Sequence, residues 1–521
     1  MTSTADRIAG ASTRQFGDST GFAGHPRGLA TLFFTEMWER FSFYGMKAIL
    51  VLYMVANPTA GGLGLDTPHA TAIYGSYLAA AYLLSLPGGI IADRILGTRL
   101  AVVLGGALIA VGHFVMAAPA TVMFYAGLAL IACGTGLLKP NVSALVGNLY
   151  PRNDPRRDNG FSLFYMGINI GAFIAPLICG YLAEADTFKK LLQSLGIDPI
   201  SCWRFGFAVA GVGMLIGLLL FWRQRDYVPD TIRKTGPGAH KTAREARRGA
   251  GRMAIYAALA ALTASGAWLA GSDWRNVLPF LLAFDALALV IIIGRQEQLS
   301  IAEWRRLGAM GIWFLVSAAF WCAYEQKGCS LSLLARDLVR RDIGGFVIPA
   351  SWLQSLTALY VILLVPVFAA LWTRLGRRQP STLSKIMLAP LLIGIGYAAF
   401  SVLCSSLKLG DKISPLWLAG LYLFDVLGEL CLSPIGLNLV TQFTPARLVG
   451  LTMGLWFFGS SFGYKLAGYL AGFYLPSPSR LTWLYGGIAA GLFAVGTILF
   501  LLLPAMNGLV SDDDGHDVAL R

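Results

Sequence analysis

Four ionisable side chains lie close together within the first long apolar stretch of the chain: Glu36, Glu39, Arg40 and Lys47. On a helix that turns by about 100° per residue, Glu36, Arg40 and Lys47 fall within about 40° of one another. Glu39 lies about 60° from Glu36 on the other side. Charges at mid-membrane depth are costly, and where they occur they face a bundle interior or a water-filled cavity. The spacing therefore predicts one wall of a polar cavity inside a membrane protein.

The composition of the whole chain agrees with a membrane location. Of 521 residues, 56% are hydrophobic and 13% are charged, and the mean hydropathy is +0.63. Soluble domains carry about 25% charged residues, roughly twice this share. Apolar runs of about 20 residues, long enough to cross a bilayer, recur along the chain. We therefore predict an all-α polytopic membrane protein.

The apolar runs predict two sets of six transmembrane helices separated by a hairpin, about fourteen helices in all. The first six are expected near 29–55, 71–92, 100–118, 121–149, 159–184 and 203–222. The hairpin is expected near 253–270 and 276–294, and the second six near 307–335, 348–373, 384–405, 414–440, 448–473 and 482–503. The predicted division is a tail at 1–28, a bundle at 29–222, a basic linker with the hairpin at 223–304, a bundle at 305–504 and a tail at 505–521.

The net charge of +13 is concentrated in loops on one side of the predicted spans. This is the positive-inside pattern, which predicts that both tails are cytoplasmic and that the chain is a multi-pass protein of the cytoplasmic (inner) membrane. The same distribution argues against a nucleic-acid partner. We find no cleavable signal peptide, so the first span is expected to be its own targeting signal.

Cysteine and histidine patterns predict no metal chemistry. The seven cysteines are scattered without a CxxC pair, which supports neither a metal site nor a disulfide framework. His113 lies alone in the third span, where we expect a packed neutral imidazole, with a proton relay as the alternative.

Several segments resemble known families. The stretch from Glu36 to Gly45 resembles the ExxERFxYYG signature of the first helix in proton-dependent oligopeptide transporters. Other segments of the chain resemble further motifs of that family, in the same order. These segments are Leu138–Ser143, Phe164–Phe173, the residues Phe320, Trp321, Glu325, Gln326 and Gly328, and residues within Gly428–Gly436. The loop Gly88–Arg99 resembles the cytoplasmic loop motif of the major facilitator superfamily, and Ala370–Arg378 occupies the equivalent place in the second half. An ordinary basic loop is the alternative for either one, but the six-plus-six pattern favours the family.

The resemblance implies a major facilitator fold and a proton-coupled symporter that imports di- and tripeptides by alternating access. The expected partners are peptides, protons and lipid, with a functional monomer and no cofactor beyond the proton gradient. A peptide offers a carboxylate and an ammonium group. By resemblance Glu429 takes the ammonium, and we expect Lys47 and Lys139 to take the carboxylate, with Arg40 as a further candidate. The full set of expected substrate-binding residues is Tyr44, Lys47, Tyr82, Lys139, Asn169, Trp321, Glu325, Thr357, Glu429, Trp456 and Ser460.

Two gating pairs are implied as well. Lys47 with Glu325 would close the periplasmic side, and Lys139 with Glu429 would close the cytoplasmic side. The expected proton-coupling residues are Glu36, Glu39, Arg40, Glu325 and Lys139. Our hypothesis is that protonating Glu325, or a glutamate of the first helix, breaks a pair and lets one bundle rock against the other. Simpler alternatives are a structural ion pair for Glu325 and a side chain that snorkels to the interface for Lys139.

The chain departs from the family pattern at four positions. Lys47 stands where Arg is common, Phe43 where a second Tyr is usual, and Thr357 where Asn is common. Asp425 is an additional carboxylate, one helical turn before Glu429. It either acts on Glu429 through like-charge proximity or is a hydrogen-bonded structural residue.

Other functions remain as alternatives at this point. The same scaffold could carry another small metabolite or a drug with protons, although the combination of Lys139 and Glu429 favours a zwitterion. A membrane enzyme would require a catalytic His/Asp/Ser cluster at one membrane face, and the sequence contains none that we recognise. We therefore predict a transporter rather than an enzyme.

Overall fold

The computed structural model describes residues 20–151, 154–230, 299–443 and 449–511, with isolated positions between 265 and 295. Most of these residues are helical, as predicted. The predicted hairpin near 253–294 and most of both predicted tails lie outside the described residues, as does the side chain of Trp456.

The described helices form an amino-terminal and a carboxy-terminal group. The first group contains α1 Arg27–Val55, α2 Thr67–Leu83, α3 Ser85–Ile91, α4 Thr98–Met116, α5 Thr121–Asn148, α6 Arg157–Glu184, α7 Asp186–Ser194 and α8 Cys202–Gln224. The second contains α9 Ile301–Tyr324, α10 Ser330–Asp337, α11 Ser355–Leu375, α12 Thr382–Ser406, α13 Pro415–Phe443, α14 Val449–Ala471 and α15 Pro478–Ser511. Two short antiparallel hairpins complete the described structure, formed by β1 Thr20–Phe22 with β2 His25–Pro26 and by β3 Asp342–Ile343 with β4 Phe346–Val347.

Eight segments of the described chain are long and apolar enough to cross a membrane, among them α4, α5, α6 and α12. Helix α1 is equally long, but Glu36, Glu39, Arg40 and Lys47 interrupt its apolar character. These four side chains are buried. Helix α1 is therefore a span whose charges face the protein interior rather than lipid, as the spacing of the charges predicts.

Each group is held together by close helix packing. In the amino-terminal group, α4 packs along α5, and α1 packs against α6 and α8. A Cβ atom on Gly134 would lie only 2.6 Å from the carbonyl oxygen of Gly105, so glycine lets α4 and α5 approach at backbone distance. In the carboxy-terminal group, α12 packs against α13 and α15, and α9 packs against α14.

The two groups meet mainly through α2 with α14 and through α6 with α11. At the first contact the backbones nearly touch, because a Cβ on Gly468 would lie 2.3 Å from the carbonyl oxygen of Thr71. A Cβ on Gly75 would lie 2.8 Å from the carbonyl oxygen of Tyr464. Small residues thus allow one helix of each group to pack directly on the other.

The predicted span at 71–92 is not one continuous helix. Helix α2 ends at Leu83, α3 begins at Ser85, and a π-helical turn follows at Ala92–Leu96. Pro87 has no backbone N–H with which to bond the carbonyl of Leu83, which accounts for the break.

The predicted span at 307–335 is also interrupted. Helix α9 ends at Tyr324, a 3₁₀ turn occupies Glu325–Gly328, and α10 begins at Ser330. A Cβ on Gly328 would lie 1.7 Å from the hydroxyl oxygen of Tyr74, so only glycine permits the approach of α2 to this turn. The interruption brings polar side chains of the turn into the interior between the two groups.

Candidate functional site

An ion pair joins the two groups of helices at the 3₁₀ turn after α9. Lys47 Nζ lies 2.6 Å from Glu325 Oε1, and the two side chains are 5% and 3% exposed. The hydroxyl of Tyr74 donates a hydrogen bond of 2.5 Å to the same carboxylate oxygen. The structure therefore brings together Lys47 and Glu325, as the family motifs predict, and adds Tyr74 of α2 as a third member.

The charges of the first helix form a second cluster within the amino-terminal group. Arg40 Nε lies 3.0 Å from Glu36 Oε1 and is also ion-paired with Glu39. All three side chains are at most 3% exposed. One guanidinium faces two carboxylates, so a positive charge nearby is needed to balance the cluster when both are ionised. Lys139 of α5 is near enough to act electrostatically on Glu36 and Glu39.

Lys139 itself lies against an aromatic cluster shared by the two groups. Its Nζ is 3.3 Å from the centroid of the Tyr82 ring, a cation–π contact. The Tyr82 ring is 4.7 Å from that of Tyr464 on α14, which in turn is 5.5 Å from the indole of Trp321 on α9. The predicted residues Lys139, Tyr82 and Trp321 are thus neighbours, linked through Tyr464, which the sequence reasoning did not select.

A small cavity of about 60 Å³ lies between the two groups. Five of the predicted substrate-binding residues line it, namely Tyr44, Lys47, Asn169, Thr357 and Glu429. Asn169 and Thr357 are buried, and their side chains donate to Tyr165 O at 2.9 Å and to Gln354 O at 2.9 Å. Glu429 accepts a hydrogen bond from the hydroxyl of Tyr324. The cavity wall therefore carries both signs of charge.

Lys327 is a cavity residue that the sequence reasoning did not select. It follows Glu325 by two positions, lines the cavity and is 4% exposed. Its Nζ lies 3.3 Å from the centroid of the Tyr324 ring, and Glu429 is near enough to act on it electrostatically. The available signal was a lysine inside an otherwise apolar run, the same signal that identified Lys139.

The structure does not join the second predicted gating pair. Lys139 contacts Tyr82 and Glu429 contacts Tyr324, so these two side chains are not paired with each other in this conformation. Ser460 is buried and lies 3.3 Å from Ser317, away from the cavity lining.

Further hydrogen bonds join the two groups near the ends of α1 and α6. The carboxylate of Glu184 accepts hydrogen bonds from the Ala350 N–H at 2.9 Å, the Ser351 N–H at 3.1 Å and the Ser351 hydroxyl at 2.5 Å. Gln354 donates to the carbonyl of Ala48 at 3.2 Å. These bonds and the Lys47–Glu325 pair lie in the carboxy-terminal halves of α1, which ends at Val55, and α6, which ends at Glu184. They join the two groups of helices there, so this end of the protein is closed.

A family model described as the POT family matches residues 99–484. The chain belongs to the POT family. The resemblance seen in the five motifs is thereby confirmed over most of the chain.

Several POT relatives are similar along nearly their whole length. The peptide transporter YePEPT of Yersinia enterocolitica is 38% identical over 520 residues, covering 96% of this chain and 98% of the relative. A di-/tripeptide transporter of Lactococcus lactis subsp. cremoris is 35% identical, covering 84% of this chain and 88% of the relative. The crystal structure of a mutant peptide transporter POT in complex with alafosfalin superimposes with a TM-score of 0.83 at 37% identity, covering 96% of this chain and 99% of that one. This likeness confirms the predicted all-α major facilitator fold. Because the POT family consists of transporters, the prediction that the chain is not an enzyme is confirmed as well.

Proposed function

We propose that this POT protein imports di- and tripeptides together with protons across the cytoplasmic membrane by alternating access. One observation carries the proposal: Lys47 belongs both to the Glu325 ion pair and to the wall of the cavity. A single ammonium group is thereby shared between the contact that closes one end of the protein and the place where substrate would bind. Anything that changes the partner of Lys47 acts on both.

The cavity suits a zwitterion. Lys47 and Lys327 present two ammonium groups to a substrate carboxylate, and Glu429 presents a carboxylate to a substrate ammonium group. Asn169 and Thr357 add polar atoms for a peptide amide, and Tyr44 adds an aromatic face. Recognition of the two termini and the backbone would leave the side chains of the peptide free to vary.

The cavity volume indicates that substrate enters another conformation. The cavity has a volume of only about 60 Å³. Pockets that bind drug-sized ligands have volumes of about 300–1,000 Å³. In our proposal the cavity expands when the two groups of helices move apart at one end, which is how alternating access operates in this fold.

Proton coupling follows from the same charges. While Glu325 is ionised, it holds Lys47 and keeps the periplasmic end closed. Protonation of Glu325 removes the charge that Lys47 faces, so the end opens and Lys47 becomes available to a peptide carboxylate. Glu36, Glu39 and Arg40 form the second proton-sensitive cluster, on which Lys139 acts electrostatically. The Lys139–Glu429 pair stays a prediction for the conformation in which the cytoplasmic end is closed.

The topology stays a prediction from the sequence. We propose cytoplasmic tails at 1–28 and 505–521, six-helix bundles at 29–222 and 305–504, and a linker with a hairpin at 223–304. The closed end described above is then periplasmic, because α1 begins after a cytoplasmic tail. The protein would work as a monomer in the inner membrane and use the proton gradient without a cofactor.

Uptake of a labelled dialanine peptide into proteoliposomes tests the proposal. With an acidic exterior and an inside-negative potential, we expect accumulation that a protonophore abolishes. Unlabelled dipeptides should compete, and single amino acids should not. Absence of uptake by a preparation that unfolds cooperatively would overturn the peptide assignment and favour another zwitterionic metabolite on the same scaffold, to be sought by a thermal-shift screen.

A further inference from the structure

Asp425 is a buried carboxyl group that the proposed transport cycle does not use. It lies on α13 with no exposed surface, one turn before Glu429. Neither of its carboxylate oxygens has a hydrogen-bond partner among the described residues. A buried polar group without a partner is unusual in a native protein and calls for a functional explanation.

The groups that act on Asp425 come from three elements of the fold. On its own helix it faces Tyr422 and Glu429, on α12 it faces Tyr397, and from the 3₁₀ turn after α9 it faces Lys327. The hydroxyl of Tyr397 is already committed, since it donates to the carbonyl oxygen of Ala323 at 2.8 Å. Glu429 is a like charge. Burial without a hydrogen-bond partner among the described residues favours the protonated form of Asp425, because an unpaired buried carboxylate is very costly.

Lys327 is the cation that could replace this proton. It is buried, and both Asp425 and Glu429 act on it electrostatically. Within the described part of the chain its ammonium group contacts the Tyr324 ring, and no carboxylate lies within the 4.0 Å of an ion pair. Lysine carries its ammonium group on a flexible four-carbon stem, so rotation of side-chain bonds can change its partner.

We infer that Asp425 is a further proton-binding site, in which a proton and the ammonium group of Lys327 alternate as the partner of the carboxylate. When the O–H bond breaks, the proton leaves to water in the opened cavity and Lys327 takes its place as the positive charge beside Asp425. No electrons are transferred. The inference rests on the proposed function, because it makes Lys327 a link between the cavity and a proton site separate from Glu325.

Infrared spectroscopy of the purified full-length protein in lipid nanodiscs tests the site without any peptide. The carbonyl stretch of a protonated carboxyl group is measured against pH for the wild type, for Asp425→Asn and for Asp342→Asn, an exposed control in the β3–β4 hairpin. We expect a band at neutral pH that Asp425→Asn removes and Asp342→Asn retains. If the spectra of the wild type and Asp425→Asn are the same in this region, Asp425 holds no proton and the inference fails.

Lys327→Gln tests the exchange of partners. Without the competing ammonium group the Asp425 band should persist to higher pH than in the wild type, whereas an identical titration would exclude Lys327 as the replacement. These measurements do not depend on transport. A failure of dipeptide uptake with the expected infrared result would overturn the proposed function and leave the proton site standing.

The proton-to-peptide ratio provides the transport test. It is obtained from the membrane potential at which net peptide flux reverses under a fixed peptide gradient and a fixed pH gradient. Asp425→Asn should move one proton fewer per peptide than the wild type, and Asp342→Asn should match the wild type. An unchanged ratio in Asp425→Asn would contradict a transported proton at this site.

Discussion

Lys47 Nζ lies 2.6 Å from Glu325 Oε1 and joins helix α1 of the amino-terminal group to the turn that follows α9 of the other. The pair is almost fully buried, and Tyr74 donates to the same carboxylate oxygen. Lys47 also lines the cavity. Lys47 therefore belongs both to a contact between the two groups of helices and to the wall of the proposed binding cavity.

Removing one partner of this pair should destabilise the protein more than removing both. Lys47→Gln leaves a buried carboxylate without its cation, which costs about 3–5 kcal/mol in comparable pairs. Lys47→Gln combined with Glu325→Gln should recover most of the loss. The measurement is thermal unfolding in detergent at pH 7.

The loss of stability in Lys47→Gln should exceed that caused by removing a surface lysine, because a buried carboxylate is left without its cation. Lys189→Gln is the matched control, since Lys189 is paired with Asp186 at an exposed site, where ion pairs contribute about 0–1 kcal/mol. A single variant as stable as the double variant would show that the buried pair has no net role in stability.

Glu325→Gln should uncouple transport from the pH gradient. The amide is uncharged at every pH, so proton binding can no longer decide whether Lys47 is held. We expect loss of pH-driven accumulation in proteoliposomes, while exchange of labelled for unlabelled dipeptide continues. Asp342→Asn, which changes an exposed carboxylate, should keep both activities. If Glu36→Gln, Glu39→Gln and Glu325→Gln all accumulate peptide in response to pH, the assignment of proton coupling is wrong.

Gly328→Ala should destabilise the protein, because the added Cβ would lie 1.7 Å from the hydroxyl oxygen of Tyr74. Overpacking of this kind costs about 1–3 kcal/mol. Gly308→Ala is the control, since a Cβ on Gly308 of α9 meets no atom within 4 Å. Alanine in a helix is favoured over glycine by about 0.5–1 kcal/mol, so this control should be neutral or stabilising.

Combining Gly328→Ala with Tyr74→Phe should recover part of the stability, since the hydroxyl that blocks the methyl group is absent. The measurement compares the unfolding temperatures of the wild type, Gly328→Ala, Gly308→Ala and the double variant. Equal unfolding temperatures for Gly328→Ala and Gly308→Ala would contradict a requirement for glycine in the turn.

Glu184→Gln should increase the population of molecules in which the end near Glu184 is open. The carboxylate accepts three hydrogen bonds from Ala350 and Ser351, and an amide can accept fewer. Hydrogen bonds to a charged acceptor contribute about 1.5–3 kcal/mol. A loss near the lower bound would raise the open population roughly tenfold, since about 1.4 kcal/mol corresponds to a factor of ten.

The opening can be followed through Cys329, which is fully buried beside the turn. The rate at which a maleimide labels it is measured in a background that carries Cys133→Ser, because Cys133 is exposed. Asp186→Asn serves as the control at the exposed start of α7. Equal labelling rates in Glu184→Gln and in the control would show that Glu184 does not hold this end closed.

Much of the site could be predicted because it follows from local periodicity. Glu36, Arg40 and Lys47 share a face of one helix, and a charge inside an apolar run must turn to the interior. The interruption after Tyr324 was not predicted, since nothing in the apolar pattern of 307–335 ends a helix there. Its Glu325 contacts Tyr74 and Lys47, which come from distant parts of the chain.

The sequence alone therefore determined the membrane class, the family and the charged faces of individual helices, because hydropathy and side-chain period are properties of neighbouring residues. Which charges meet was decided only by the tertiary structure. Lys47 contacts Glu325, Lys139 lies against Tyr82, and Lys327 lines the cavity. Asp425 has no hydrogen-bond partner among the described residues. Inside a membrane protein the energy of a charge depends on the few groups within several ångströms of it, and the packing of helices far apart in sequence decides which groups those are.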